Sequence, residues 1–269
     1  MTKSLNIAIA GVAGRMGRQL VSASLAAGHA VSGGTEREGT KELTIDIGEL
    51  AGTAPVGFTP LSSVAEATRS ADTWIDFTAP DATLSALGAL KDTSVKSVII
   101  GTTGFTPAQD TALKAHANHF AIVKAGNFSL GIALLTRLTQ LAAEKLGEDW
   151  DLEILETHHK HKVDAPSGTA LMLGEAAAAG RGALLTDLRD GPYDGPDARR
   201  VPGKIGFSVR RSGSVIGEHE VTLTSDSEQL TLAHKALDRR VFADGAIKAA
   251  EWAAGQKPGL YSIHDVLGL

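Results

Sequence analysis

The sequence contains no cysteine. That absence excludes a disulfide scaffold, a thiol nucleophile and any cysteine-ligated zinc or iron–sulfur centre, and it is compatible with a reducing compartment. Also missing is any apolar run near the ~20 residues needed to span a bilayer. Residues 1–10 carry one lysine and only a short apolar stretch before Gly11, without the longer apolar core and cleavage site of a signal peptide. The chain therefore reads as cytoplasmic, with no membrane partner. Nor is there an excess of positive charge: 26 Lys and Arg stand against 31 Asp and Glu, a formal net charge of -5. Such a chain has no global attraction for nucleic acid or anionic lipid, so an anion site has to be assembled locally.

What is present is an ordinary globular composition, 43% hydrophobic and 21% charged over 269 residues, enough for one large or two modest domains. The first half alternates short apolar runs (5–10, 30–34, 73–78, 98–100, 120–123) with helix-like stretches. Met16, Leu20, Ala23 and Ala27 share one helical face, Ser63 and Glu66 have capping-box spacing, and Pro80 with Asp81 suits a first helical turn. This order predicts an α/β fold with a Rossmann-like doubly wound parallel sheet. The second half differs. After a helix-like stretch at 131–146, residues 150–157, 205–211, 215–224 and 229–236 alternate with period two, which predicts an antiparallel or mixed sheet with one covered face. Residues 190–203, rich in proline and glycine, read as a mobile surface loop, and 239–254 return to a helical pattern.

Gly11, Gly14 and Gly17 form G-x-x-G-x-x-G between the first strand and its helix. Missing side chains there let backbone approach a pyrophosphate at a helix N-terminus, and Arg15 adds a cation. Alone this spacing is weak, since glycines also serve helix–strand packing. Glu36, 19 residues past Gly17, stands where an acid accepts hydrogen bonds from an adenosine ribose. Arg37 beside it could bind a 2′-phosphate, so the pair leaves NADH and NADPH both open. The cofactor-binding set is read as Gly11, Val12, Ala13, Gly14, Arg15, Met16, Gly17, Glu36 and Arg37. It is completed by two loops after later strands, Gly101, Thr102 and Thr103, and Gly126, Asn127 and Phe128.

Residues 153–170 concentrate chemistry. His158, His159, Lys160, His161 and Lys162 are consecutive at the end of a predicted strand, and Ser167, Gly168 and Thr169 open a helix. Zinc accepts three histidines, but the adjacent lysines would repel it. A solvated basic loop is a poor match for the coupled helix start. An anion site with a histidine proton donor fits best: Ser167 as N-cap, exposed amides as a cradle, and cations beside them.

The run E-I-x-E-x-H-x-x-x-K-x-D-x-P-S-G-T-A over 153–170 resembles the signature of the dihydrodipicolinate reductases, also called 4-hydroxy-tetrahydrodipicolinate reductases. The resemblance extends to the glycine turn, Glu36–Arg37, 101–105, 127–129, 217–219, 234–235 and 265–269, essentially the whole chain. One departure is Ala133, where the family often has asparagine. The resemblance implies a dinucleotide-binding domain (1–129 and 240–269) and an α+β mixed-sheet domain for substrate and homotetramer formation (130–239). It also implies an NADH- or NADPH-dependent reduction of a cyclic imine dicarboxylate in lysine and diaminopimelate biosynthesis. His158 is then the proton donor, Lys162 binds a carboxylate and stabilises developing charge, and His159, Ser167, Gly168 and Thr169 hold the carboxylates. A nicotinamide-binding sensor without turnover, or a reductase of another small dicarboxylate, are the alternatives.

Overall fold

The computed structural model describes residues 4–269, with the chain running through ten strands and ten helices among them. In order these are β1 (Asn6–Ile9), α1 (Arg15–Ala26), β2 (Ala30–Gly34), α2 (Ile47–Leu50), α3 (Val64–Ala67), β3 (Thr73–Asp76), α4 (Pro80–Leu90), β4 (Ser97–Ile100), α5 (Pro107–His116) and β5 (Ala121–Lys124). Next come α6 (Leu130–Leu146), β6 (Asp151–His158), α7 (Gly168–Gly180), α8 (Leu185–Leu188), β7 (Ile205–Arg211), β8 (Glu218–Thr224) and β9 (Gln229–Lys235). The chain closes with α9 (Arg240–Ala253), β10 (Gly259–Tyr261) and α10 (Ile263–Leu267). Two compact units result: residues 4–129 with 240–269, and residues 130–239.

The first unit holds a six-stranded parallel sheet in the order β10-β5-β4-β3-β1-β2. β3 and β4 are buried along their whole length, as central strands of a sheet covered on both faces should be. α3, α4 and α5 cover one face over a core that includes Trp74, Leu87, Leu90, Val98, Phe120 and Ile122. α1 and α9 pack together on the other. Helix starts follow local chemistry: Thr106 and Gln109 close a capping box ahead of Pro107, whereas Ser63 accepts from the Glu66 amide without the reciprocal bond. β10, only three residues long, pairs with β5 and was not legible as a strand. α9 lies so close to the end of β5 that a Cβ on Gly245 would sit 1.8 Å from the Phe128 carbonyl oxygen.

The second unit is a four-stranded mixed sheet, β7-β6-β8-β9, with β6 and β7 parallel and the other pairs antiparallel. α6 and α7 cover one face over a core containing Ile132, Leu152, Ile154, Leu173, Ile205, Phe207, Val221 and Leu223. The period-two geometry of a strand keeps Glu156 and His158 on the same face as Leu152 and Ile154. Register then sets Glu156 opposite His219 and His158 opposite Arg211, so the covered face turns from apolar to polar at its far end. Loop 190–203 is tied down: Arg200 pairs with Asp151 at 2.7 Å and with Glu153, and donates to the carbonyl of Leu152 at 3.0 Å. The Tyr193 hydroxyl donates to Glu153 at 2.9 Å, and burial together with that carboxylate pushes Tyr193 up to about 12.

Replacing Gly245 by alanine forces a backbone contact that no side-chain rotation relieves. The expected cost is about 1–3 kcal/mol, read as a fall of several degrees in Tm. An unchanged melting curve would show that α9 and the segment at Phe128 separate without strain.

Candidate active site

In the first unit the strand order reverses direction beside β1 and β3, so their carboxyl ends flank the crevice where open α/β sheets bind ligands. A Cβ on Gly17 would lie 2.3 Å from the Gly11 oxygen and 2.6 Å from that of Val12, so only glycine lets α1 start this close to β1. Gly14 is the N-cap and supplies no side-chain bond, which leaves first-turn amides for an external acceptor. Glu36 folds back over the turn: Oε2 accepts from the Ala13 amide at 3.3 Å and Oε1 from the Arg37 amide at 3.1 Å. Beside it is a cavity of about 600 Å³, bounded by Gly11, Thr35, Glu36, Arg37, Asp76 and Thr78 among others. A volume of that size, bordered by Gly11 of the glycine turn and by the Glu36 carboxylate, fits a dinucleotide.

The other two loops contribute differently from what their residue types suggest. Thr102 is buried, its Oγ1 accepting from the Thr78 amide at 3.0 Å and lying 2.9 Å from Thr83 Oγ1. Gly101 makes room for the Phe77 ring, 2.1 Å from where its Cβ would be, and Phe128 is buried with its ring 5.3 Å from Phe77. Asn127 Oδ1 accepts from the Ser129 amide at 2.8 Å. Thr102, Phe77 and Phe128 thus pack inward and shape the carboxyl end of the sheet, while Thr103 is exposed. Asp76, 1% exposed, takes bonds from the Thr78 amide (3.0 Å) and hydroxyl (2.6 Å); no sequence motif marked it.

The second unit gathers the basic segment around one carboxylate. Glu156, 1% exposed, accepts from both terminal nitrogens of Arg211 at 2.8 and 3.0 Å, from the Ser167 amide at 2.9 Å, and lies 2.6 Å from His158 Nδ1. Burial alone would raise this carboxyl, but Arg211 first, then His158 and the Ser167 amide, hold it below the usual carboxylate range. An ionised carboxylate only accepts, so Nδ1 of His158 carries the proton and Nε2 is the nitrogen left for chemistry. Nε2 points toward Gly217, where an added Cβ would lie 3.1 Å away.

Ser167 is the N-cap of α7, its Oγ accepting from the Ala170 amide at 3.1 Å. The same oxygen lies 3.0 Å from His219 Nε2. Both polar groups of Ser167 are thus engaged inside the unit, and the anion cradle comes down to the helix start that Gly168 and Thr169 open. His219, edge-on to His158 with centroids 5.2 Å apart, is pushed down to about 4 by burial and then by the neighbouring His158. Lys162 Nζ sits 2.8 Å from Asp164 Oδ1, which holds the Asp164 carboxyl low. His159 and His161 lie on the same loop with rings 6.4 Å apart, away from Glu156. Sequence reading singled out His158, Lys162, His159 and the helix start; it missed Glu156, Arg211 and His219 as members of one network.

Because the folded state keeps His219 neutral while the unfolded chain protonates near 6.5, its stabilising contribution is complete above that pH. It is lost as pH falls from 6.5 toward 4. Between pH 7 and 4 the wild type should lose about 3 kcal/mol more unfolding free energy than His219→Asn. Equal slopes in denaturant titrations would overturn this.

The N-terminal model of dihydrodipicolinate reductase matches residues 5–128, and the C-terminal model matches 131–267. The 4-hydroxy-tetrahydrodipicolinate reductase of Parvibaculum lavamentivorans is 47% identical over 271 residues, covering 100% of both chains. That of Cereibacter sphaeroides is 48% identical over 264 residues, 98% of each. Dipicolinate-bound dihydrodipicolinate reductase from Paenisporosarcina sp. TG-14 shares the fold, with a TM-score of 0.75 at 22% identity over 97% of this chain and 98% of that one. With both halves matched and relatives nearly half identical from end to end, the chain belongs to the dihydrodipicolinate reductase family.

Proposed function

We propose that His158 and Lys162 carry the family's reaction in this chain. That reaction is the NAD(P)H-dependent conversion of (2S,4S)-4-hydroxy-2,3,4,5-tetrahydrodipicolinate to 2,3,4,5-tetrahydrodipicolinate. One hydride and one proton are added and one water is lost. The observation that carries the assignment is a shared anchor: Glu156 holds His158 through one oxygen and the start of α7 through the other. Proton donor and anion cradle are thereby fixed relative to each other.

The nicotinamide, when bound, supplies the hydride. The first-turn amides of α1, with Arg15 beside them, would hold its pyrophosphate, Glu36 and Arg37 would meet its adenosine ribose, and the loops at 101–103 and 126–128 would receive its nicotinamide end. On the substrate side the amides at Gly168 and Thr169 receive one carboxylate, aided by His159. Lys162 leaves Asp164 to meet the other carboxylate and to offset negative charge as hydride adds. His158 then delivers its proton from Nε2. Ser167 acts by holding the cradle's geometry, its hydroxyl being committed to Ala170 and His219.

A homotetramer and a cytoplasmic location belong to the same proposal. The face of the four-stranded sheet opposite α6 and α7 carries half-exposed Leu155 and Thr222 beside exposed Thr231, which suits assembly through that face. Among the described residues no helix is long and apolar enough to cross a membrane.

Nicotinamide oxidation with freshly generated substrate and each cofactor tests the roles. His158→Gln should lower kcat roughly 100- to 10,000-fold, and Lys162→Ala should lower kcat/KM roughly 100- to 1,000-fold. Full turnover in both variants would refute the assignment, and a wild type inactive with both cofactors would favour a sensor.

A further inference from the structure

We infer that Arg211 is a positioning residue for both proposed catalytic side chains, and that it sets how firmly His158 holds its proton. The inference rests on His158 being the proton donor. Arg211 stands directly across the parallel β6–β7 ladder from His158. Its two terminal nitrogens grip Glu156 at 2.8 and 3.0 Å, and one of them also donates to the Asp164 carbonyl at 2.6 Å. From Glu156 the chain of contacts runs to His158 Nδ1, and from Asp164 to Lys162 Nζ at 2.8 Å. One guanidinium therefore spans the carboxylate that orients the histidine and the backbone that carries the lysine's partner.

A planar fork with five donors can do this and an ammonium cannot. The electrostatics follow from the balance at Glu156. A buried carboxylate with a single cationic partner would hold an imidazolium tightly and resist proton release. With Arg211 already neutralising it, Glu156 fixes the tautomer and the ring plane while pulling less on the proton. The other charged or titratable groups around His158 are His219 and Glu218 on β8, His234 beyond them on β9, His159, Lys162 and Asp164 on the following loop, and Arg239 acting on His159. None of these reaches Nδ1.

The two partners should thus move the alkaline limb of the kcat–pH profile in opposite directions. Glu156→Gln removes the anion and should shift the limb to lower pH by about one unit, with kcat down roughly 10- to 100-fold. Arg211→Gln leaves Glu156 uncompensated and should shift the limb to higher pH, with KM for the substrate raised as Asp164 and Lys162 lose their support. Arg211→Lys should keep the wild-type limb and lose roughly 10-fold in kcat. Limbs that stay in place, or move the same way in both neutral variants, would overturn the inference. His158→Gln is run in parallel: full activity there would mean that the proton-donor reading itself has failed. Because a variant may not fold, nitrogen-15 spectra of the wild-type imidazoles give a second test. Neutral His158 is expected as the Nδ1–H tautomer, and an Nε2–H tautomer would overturn the inference.

Discussion

A carboxylate removed from water has to recover its hydration from the protein, and Glu156 does so completely. Its two oxygens take four contacts, from a guanidinium fork, an amide and an imidazole, drawn from β7, the start of α7 and β6 itself. Removing any one donor would leave a buried anion short of partners, which is costly, whereas the full set is close to neutral in free energy. The satisfied network buys geometry more than stability. Neighbouring features are arranged around it: Nε2 of His158 is the nitrogen turned away from Glu156, Ser167 is committed inward, and His219 is kept uncharged beside the His158 ring.

The dinucleotide unit depends on a different constraint, close backbone approach. Gly17 brings α1 onto the end of β1, Gly245 lets α9 pass over the carbonyl of Phe128, and Gly101 admits the Phe77 ring. Each position would meet backbone or a packed aromatic if it carried a Cβ. Asp76 and Thr78 border the cavity beside Glu36 and, with Thr83 and Thr102, form a set of short polar side chains bonded to one another. The loops contribute shape through the inward side chains of Thr102 and Phe128.

Much of this was readable from the chain because it depends on local pattern. Strand–helix alternation, the glycine turn and the Ser167 N-cap are all set by residues within a few positions of one another, and the family signature over 153–170 carried the substrate class. What escaped depends on distance in sequence. Arg211 lies 55 residues from Glu156, and only the β6–β7 register brings them together. The period-two alternation puts Glu156 on the face of Leu152 and Ile154, and it is buried with them, but nothing local shows what would satisfy a carboxylate there. The Ser167 hydroxyl, expected in the anion cradle, is taken up by the Ala170 amide and His219. Loop 190–203 had the composition of a free segment, but Arg200 inside it has two carboxylates to hold. β10 is too short for any periodicity to show.

With Lys162 in its proposed role of carboxylate binding, the Lys162–Asp164 pair makes recognition an exchange. An arriving carboxylate does not meet a bare ammonium; it replaces one carboxylate by another, and the Coulomb gain largely cancels. Net attraction must then come from whatever else the newcomer can grip. A molecule with a single acidic group gains little from the swap, while one that also reaches the helix start of α7 gains a second, uncontested anchor. On that proposal such a pocket would favour diacids over small monoacids, whose single carboxylate gains little from the exchange.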